Sequence, residues 1–201
     1  MKRLFLAVIT LVVISISSAN AQAVFGVRVG ASIPTMSDET GSNIKGKFGL
    51  EVGPVLYYTI KHNLYINTGA LFSYKSFDMG ESTSFNMYNL DVPIYLGYNF
   101  ANASKVSFYA QAGPYVGFKL SEKVKSEGES INTDLLKSID GGLAAMVGVN
   151  IQRFKIELGY KFGLLNLFNR GSDLIDESLL DPNVNYSIRL SSLFLGVSYV
   201  F

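Results

Sequence analysis

The sequence predicts an all-β chain folded as an eight-stranded antiparallel up-and-down transmembrane β-barrel, and three observations carry that prediction. Hydrophobicity alternates with a period of two along most of the chain, and no stretch has a helical period. The connections between the alternating segments are short and long by turns. One face of the segments is apolar with aromatic ends, while the other mixes glycine, tyrosine and a few charges of both signs.

The first element is the N-terminus. Lys2 and Arg3 precede an apolar run from Leu4 to Ile16, followed by SSANAQA. These are the charged region, short apolar region and A-x-A site (Ala19-Asn20-Ala21) of an export signal. About 13 apolar residues are too few to cross ~30 Å of hydrocarbon as a helix. Residues 1–21 are therefore expected to be a signal peptide and residues 22–201 one outer-membrane β-barrel domain. Of 17 basic residues, Lys2 and Arg3 leave with the leader, so 15 remain against 16 acids. That balance offers nucleic acid no basic surface. There is no cysteine, hence neither a disulfide framework nor a thiol for lipid attachment.

The eight expected strands are 23–33, 47–60, 64–77, 88–100, 105–120, 138–151, 154–165 and 187–201. Most exceed the roughly 5–6 residues of a soluble strand and reach the ~9–11 that a tilted bilayer-crossing strand needs. Lys61-His62-Asn63, Ala101-Asn102-Ala103-Ser104 and Gln152-Arg153 make short connections. Pro34–Gly46, Asp78–Met87, Ser121–Lys137 and Asn166–Tyr186 make long ones. Strict alternation puts all tight turns at one end and all long loops at the other, as in an outer-membrane barrel.

The faces decide between a membrane barrel and a soluble ligand-binding one, which would turn its apolar face inward. Phe48, Leu50, Val52, Leu56, Tyr58 and Ile60 share one face with Leu90, Val92, Ile94, Leu96, Tyr98 and Phe100. Phe154, Ile156, Leu158, Tyr160, Phe162 and Leu164 continue it, without a charge. Its aromatic residues gather at both ends, as two interfacial girdles would. The opposite face carries Arg28, Glu51, Lys75, Asp91, Glu157 and Lys161 among glycines and tyrosines. A soluble exterior would be more densely charged; a narrow interior must pair its charges. These six residues are expected to form an interior ion-pair network, with Arg28 across from Glu51, and the interior is expected to be too crowded for a pore. Tyr199 and Phe201 end the last apolar face and are expected to serve as lipid anchors and a C-terminal assembly signal for the barrel-assembly machinery.

Several segments resemble the PorT-like outer-membrane β-barrel family, common in Bacteroidetes. YNLDVPIYLGYNF (Tyr88–Phe100), QAGPYVGF (Gln111–Phe118), SIDGGLAAMVGVNI (Ser138–Ile151), ELGYKFGLLNL (Glu157–Leu167) and the final GVSYVF occur in the family's order. Gly97 stands where the family often has lysine, and Lys161 where it often has serine. The resemblance implies an outer-membrane barrel and, for the founding member, a part in type IX protein secretion.

Pro54, Pro93 and Pro114 fall inside expected strands, and a closed barrel has no edge strand to receive them. Local bulges, or carbonyls turned toward interior polar groups, are expected there. Catalytic chemistry finds little material. His62 is the only histidine and lies in a tight turn, without the nucleophile and acid a general base would need. Asp173, Asp176, Glu177 and Asp181 match no calcium-loop spacing, and Lys119, Glu122, Lys123, Lys125, Glu127 and Glu129 read as an exposed loop. The chain is expected to bind no cofactor and no metal. It reads as a monomeric structural or interaction protein, with membrane lipid and an envelope protein as partners. An outer-membrane enzyme acting on lipid or peptide, or a small pore, is the alternative.

Overall fold

In the computed structural model the described residues are 23–38, 43–78, 83–103, 106–126, 129–132, 136–167 and 187–201. The expected signal peptide and the four acids from Asp173 to Asp181 lie outside them. The described residues form ten strands: β1 (Ala23–Asp38), β2 (Asn43–Lys61), β3 (Leu64–Gly69), β4 (Leu71–Asp78), β5 (Thr83–Ala103), β6 (Val106–Ser126), β7 (Glu129–Asn132), β8 (Ile139–Ile151), β9 (Phe154–Gly163) and β10 (Ile188–Val200). All pairings are antiparallel; β3 and β4 both lie between β2 and β5, and β6 pairs with β8 along most of its length and with β7 at its end. β10 pairs back to β1 from Gly26↔Val200 to Asp38↔Ile188. Phe201 joins that seam, its amide donating to the Phe25 carbonyl at 2.8 Å.

The sequence suggested eight strands, and the two additional segments have specific causes. Ala70 sits opposite Pro54 and donates its N–H to the Pro54 carbonyl at 3.1 Å. Proline has no N–H to return, so one rung is lost and a single run divides into β3 and β4. β7 is a short strand in an expected loop, paired to the end of β6.

Strand ends also differ from expectation. β1 and β2 continue to Asp38 and back from Asn43, and β5 begins at Thr83, within expected loops. Beyond the aromatic girdle the alternation persists with reversed polarity. Met36, Phe77, Phe85, Met87, Leu136, Leu167 and Leu190 form a buried apolar cluster inside the long-loop end, while Ser84 and Asp78 point outward.

Pro54, Pro93 and Pro114 do not bulge the wall, whereas Pro34 lies within a register shift between β1 and β2. Register shifts lie between Ser32 and Thr35, Gly46 and Phe48, Thr59 and Lys61, Tyr88 and Asn89, and Asn99 and Ala101. All are near the rims, where bulges concentrate, and none is at Pro54, Pro93 or Pro114. Instead the ladder skips: β5 and β6 pair at Pro93↔Tyr115 and next at Leu96↔Ala112, passing over Pro114. The Pro93 carbonyl accepts a hydrogen bond from Thr68 Oγ1 at 2.8 Å.

The two described short turns are tight. His62 and Gln152 have φ of 38° and 56°, the left-handed region that costs a non-glycine residue roughly 1–2 kcal/mol. His62 is exposed in its turn.

Candidate functional site

The outward face is apolar throughout its middle. Ile94, Leu96, Phe100, Phe108, Val147, Leu158 and Leu195 are each more than half exposed, although they are among the greasiest side chains present. Water cannot be the solvent of such a continuous surface. Aromatic rings stack along its short-turn rim, Phe154 to Tyr199 at 5.2 Å and Tyr199 to Phe201 at 5.4 Å between centroids.

The lumen is the chemically rich region, and it is layered. Nearest the short turns, Lys155 Nζ lies 4.7, 4.9 and 4.1 Å from the ring centroids of Tyr57, Tyr65 and Tyr109, a cation–π cage. Its ammonium also donates to Asn150 Oδ1 at 2.7 Å. Gly97 makes room for this cage, because a Cβ there would stand 2.2 Å from Tyr65 Cζ.

The next layer is ionic. Arg28 Nη2 lies 3.1 Å from Glu51 Oε1 and 2.6 Å from Glu157 Oε1, with its guanidinium 5.0 Å above the Phe194 ring. Lys161 Nζ contacts Glu51 Oε2 at 2.6 Å and Asp91 Oδ2 at 3.2 Å. Glu157 Oε2 accepts from the Tyr109 hydroxyl at 2.9 Å and Gln111 Nε2 at 2.8 Å, and Asn67 Nδ2 donates to Gln111 Oε1 at 3.1 Å. Above this, Lys75 Nζ stands 3.7 Å from Asp140 Oδ2. The apolar cluster then closes the long-loop end.

All six charged residues singled out in the sequence face the lumen and are buried; five form one connected group, and Lys75 pairs separately with Asp140. Arg28 is directly opposite Gly53, while Gly30 faces Glu51, so the Arg28–Glu51 contact is diagonal rather than across a rung. Sequence reasoning missed Asp140 and Lys155, although each keeps the inward parity of its strand. It also read Glu122 as exposed. Glu122 is buried, bonded to Lys119 Nζ at 2.9 Å and the Leu136 amide at 3.2 Å, because the bulge beside Leu120 turns it inward.

Glu51, Asp91, Glu122 and Glu157, buried carboxylates among the described residues, are each held by at least one close donor. Among the described residues no three His, Asp or Glu side chains gather as a metal site.

An apolar belt outside a charged lumen is the inverse of a water-soluble protein, and residues 18–169 match the model of the outer membrane protein beta-barrel domain. The chain belongs to that family. This outer membrane protein beta-barrel domain is similar to Neisserial surface protein A, with 19% identity and a TM-score of 0.55 over 88% of this chain and 97% of that one. It is similar also to the outer membrane protein OprG from Pseudomonas aeruginosa, at 13% identity and a TM-score of 0.50 over 90% and 96%. The likeness is one of fold. Among curated proteins none matches the sequence significantly. No helix among the described residues is long and apolar enough to cross a membrane; the barrel domain resides in the outer membrane through its strands.

Proposed function

We propose that the ten strands act as eight bilayer crossings, with β3 and β4 as one crossing and β7 as part of an outer loop. In this reading the protein is a closed, monomeric scaffold rather than an enzyme. It presents long connections outside the cell and docks an envelope partner. The observation that carries the reading is the filled lumen: a tyrosine cage, an ion-pair layer and an apolar cluster succeed one another along its axis. Eight strands leave an interior that side chains can fill, which disfavours a pore.

The segment likenesses at Tyr88–Phe100 and Gln111–Phe118 support membership of the PorT-like branch and a part in type IX secretion. Removal of residues 1–21 on export belongs to the same reading, as does recognition of Tyr199 and Phe201 by the assembly machinery. Purified protein in planar bilayers should give no reproducible conductance steps. Steps whose size changes in Arg28→Ala or Glu51→Ala would replace the scaffold with a pore. Crosslinking in intact cells should capture one envelope protein through the outer loops. Capture of lipid alone would remove the docking role.

A further inference from the structure

One outward-facing rung of the wall begins at Leu64, the first residue of β3, and crosses to β9 through Leu64↔Tyr98, Tyr98↔Ala110, Ala110↔Val147 and Val147↔Leu158. The neighbouring rung, farther from the short turns, sets Leu96, Ala112 and Ala145 side by side. Leu96, Val147 and Leu158 are each more than half exposed and stand up from the wall. The alanines between them do not. A groove of about 480 Å³ results, floored by Ala110, Ala112 and Ala145. Four inter-strand spacings of ~4.8 Å give the rung a length of ~19 Å. Half of a ~30 Å hydrocarbon core, crossed at a slant, is about as long.

Left empty, such a groove would forfeit the dispersion contacts of its lining, and an extended acyl chain has the shape to fill it. Charge at its shallow end says which lipid supplies the chain. Leu64 pairs across the tight turn with Lys61, and Lys61 is exposed. An ammonium group therefore stands about one strand spacing, ~4.8 Å, from the mouth of the groove. The charge of this rim is one-sided. Lys61 and Arg153 are the only charged residues in the short connections Lys61–Asn63, Ala101–Ser104 and Gln152–Arg153. Among the described residues the first acid along β9 is Glu157, which is buried in the lumen and bonded to Arg28 at 2.6 Å. The rim thus offers Lys61 no acidic side chain and favours an anion from the membrane.

We propose that this groove is a binding site for one anionic phospholipid, with an acyl chain laid over Ala110, Ala112 and Ala145 and the headgroup phosphate against Lys61. The apolar groove fixes the chain, and the basic rim selects the head. A zwitterionic lipid brings its own ammonium to a rim that is already positive, whereas an anionic one brings a net charge of the complementary sign.

The test is native mass spectrometry of the full barrel, released from nanodiscs that hold equal amounts of dioleoyl phosphatidylglycerol and dioleoyl phosphatidylethanolamine. The wild type should retain one lipid, with phosphatidylglycerol favoured about fivefold, the effect of one basic side chain beside an anionic membrane surface. Lys61→Gln should still retain a lipid but bring the two species close to parity. Arg153→Gln removes the same charge from the other described turn, away from the groove, and should leave the preference as it was. Ala112→Leu combined with Ala145→Leu fills the groove with a side chain common on the lipid face. That variant should lose the retained lipid while the gel shift of unheated samples remains that of a folded barrel. Equal retention of the two lipids by the wild type would overturn the proposal. So would an equal loss of preference in Lys61→Gln and Arg153→Gln, or unchanged retention once the groove is filled.

Discussion

Arg28→Met tests the ion-pair layer most directly. The guanidinium is fully buried and touches two carboxylates, at 3.1 Å and 2.6 Å. Methionine fills much of the volume over Phe194 but leaves both acids behind. Glu51 retains Lys161 at 2.6 Å and is largely compensated. Glu157 retains only the neutral donors Tyr109 and Gln111, so it becomes a buried charge with no close ionic partner. Removing one member of a buried pair typically costs about 3–5 kcal/mol, and that is the expected loss. Glu157→Gln in the Arg28→Met background removes the stranded charge and should recover about 1–3 kcal/mol of it, since the two sites are in contact and do not add. Equilibrium urea unfolding in vesicles, followed by tyrosine fluorescence and by the gel shift of unheated samples, measures Arg28→Met, Glu157→Gln and the double variant. A loss under about 1 kcal/mol for Arg28→Met would refute the reasoning by showing the charges to be hydrated. Strict additivity of the two substitutions would refute it as well.

Other outcomes follow from other parts of the wall. Ile94→Arg should cost about 2–4 kcal/mol as a charge placed mid-bilayer. The adjacent buried Tyr95→Phe should cost under about 1.5 kcal/mol as a volume-conserving change; unfolding in lipid giving the reverse order would mean the faces are assigned wrongly. Thr68→Val strands the Pro93 carbonyl and should cost about 1–3 kcal/mol in the same assay, and no loss would show that the carbonyl finds another donor. Gln152→Gly should raise stability by up to about 1 kcal/mol, because glycine accepts the left-handed φ that glutamine is forced into. A lower midpoint would place the strain elsewhere.

The wall was legible in the sequence because lipid and lumen impose opposite demands on alternate residues. Ile94 and Tyr95, or Leu158 and Glu157, reveal their sides by chemistry alone. Above the outer girdle that contrast reverses. Ser84 takes an outward place while Phe85 and Met87 turn in, so Asp78–Met87 resembled a loop although β5 begins at Thr83. Lone charges near strand ends were ambiguous for a related reason. Asp140 and Lys155 stand close to the ends of their strands, and only register across several strands shows that they face other groups in the lumen. The partners of Arg28 and Lys161 depended on the barrel's radius and stagger, which no local pattern encodes. Pro54 was recognised as a problem for the ladder. Its solution, one missing rung at Ala70 with the register kept, required knowing what lay opposite.

The strongest inner contacts cross the lumen instead of joining neighbouring strands. Arg28 on β1 meets Glu157 on β9, and Lys161 on β9 meets Glu51 on β2 and Asp91 on β5. No hairpin contains any of these pairs. A chain inserted only as far as β6 would hold Arg28 and Glu51 but neither of their β9 counterparts, and Asp91 would lack its lysine. Closure therefore works as a proofreading step: a two-residue slip of β9 displaces Glu157 and Lys161 together and leaves several ions stranded at once. Of these contacts a partly threaded barrel has only the Arg28–Glu51 pair of β1 and β2, and the arrival of β9 adds the contacts of Glu157 and Lys161 together.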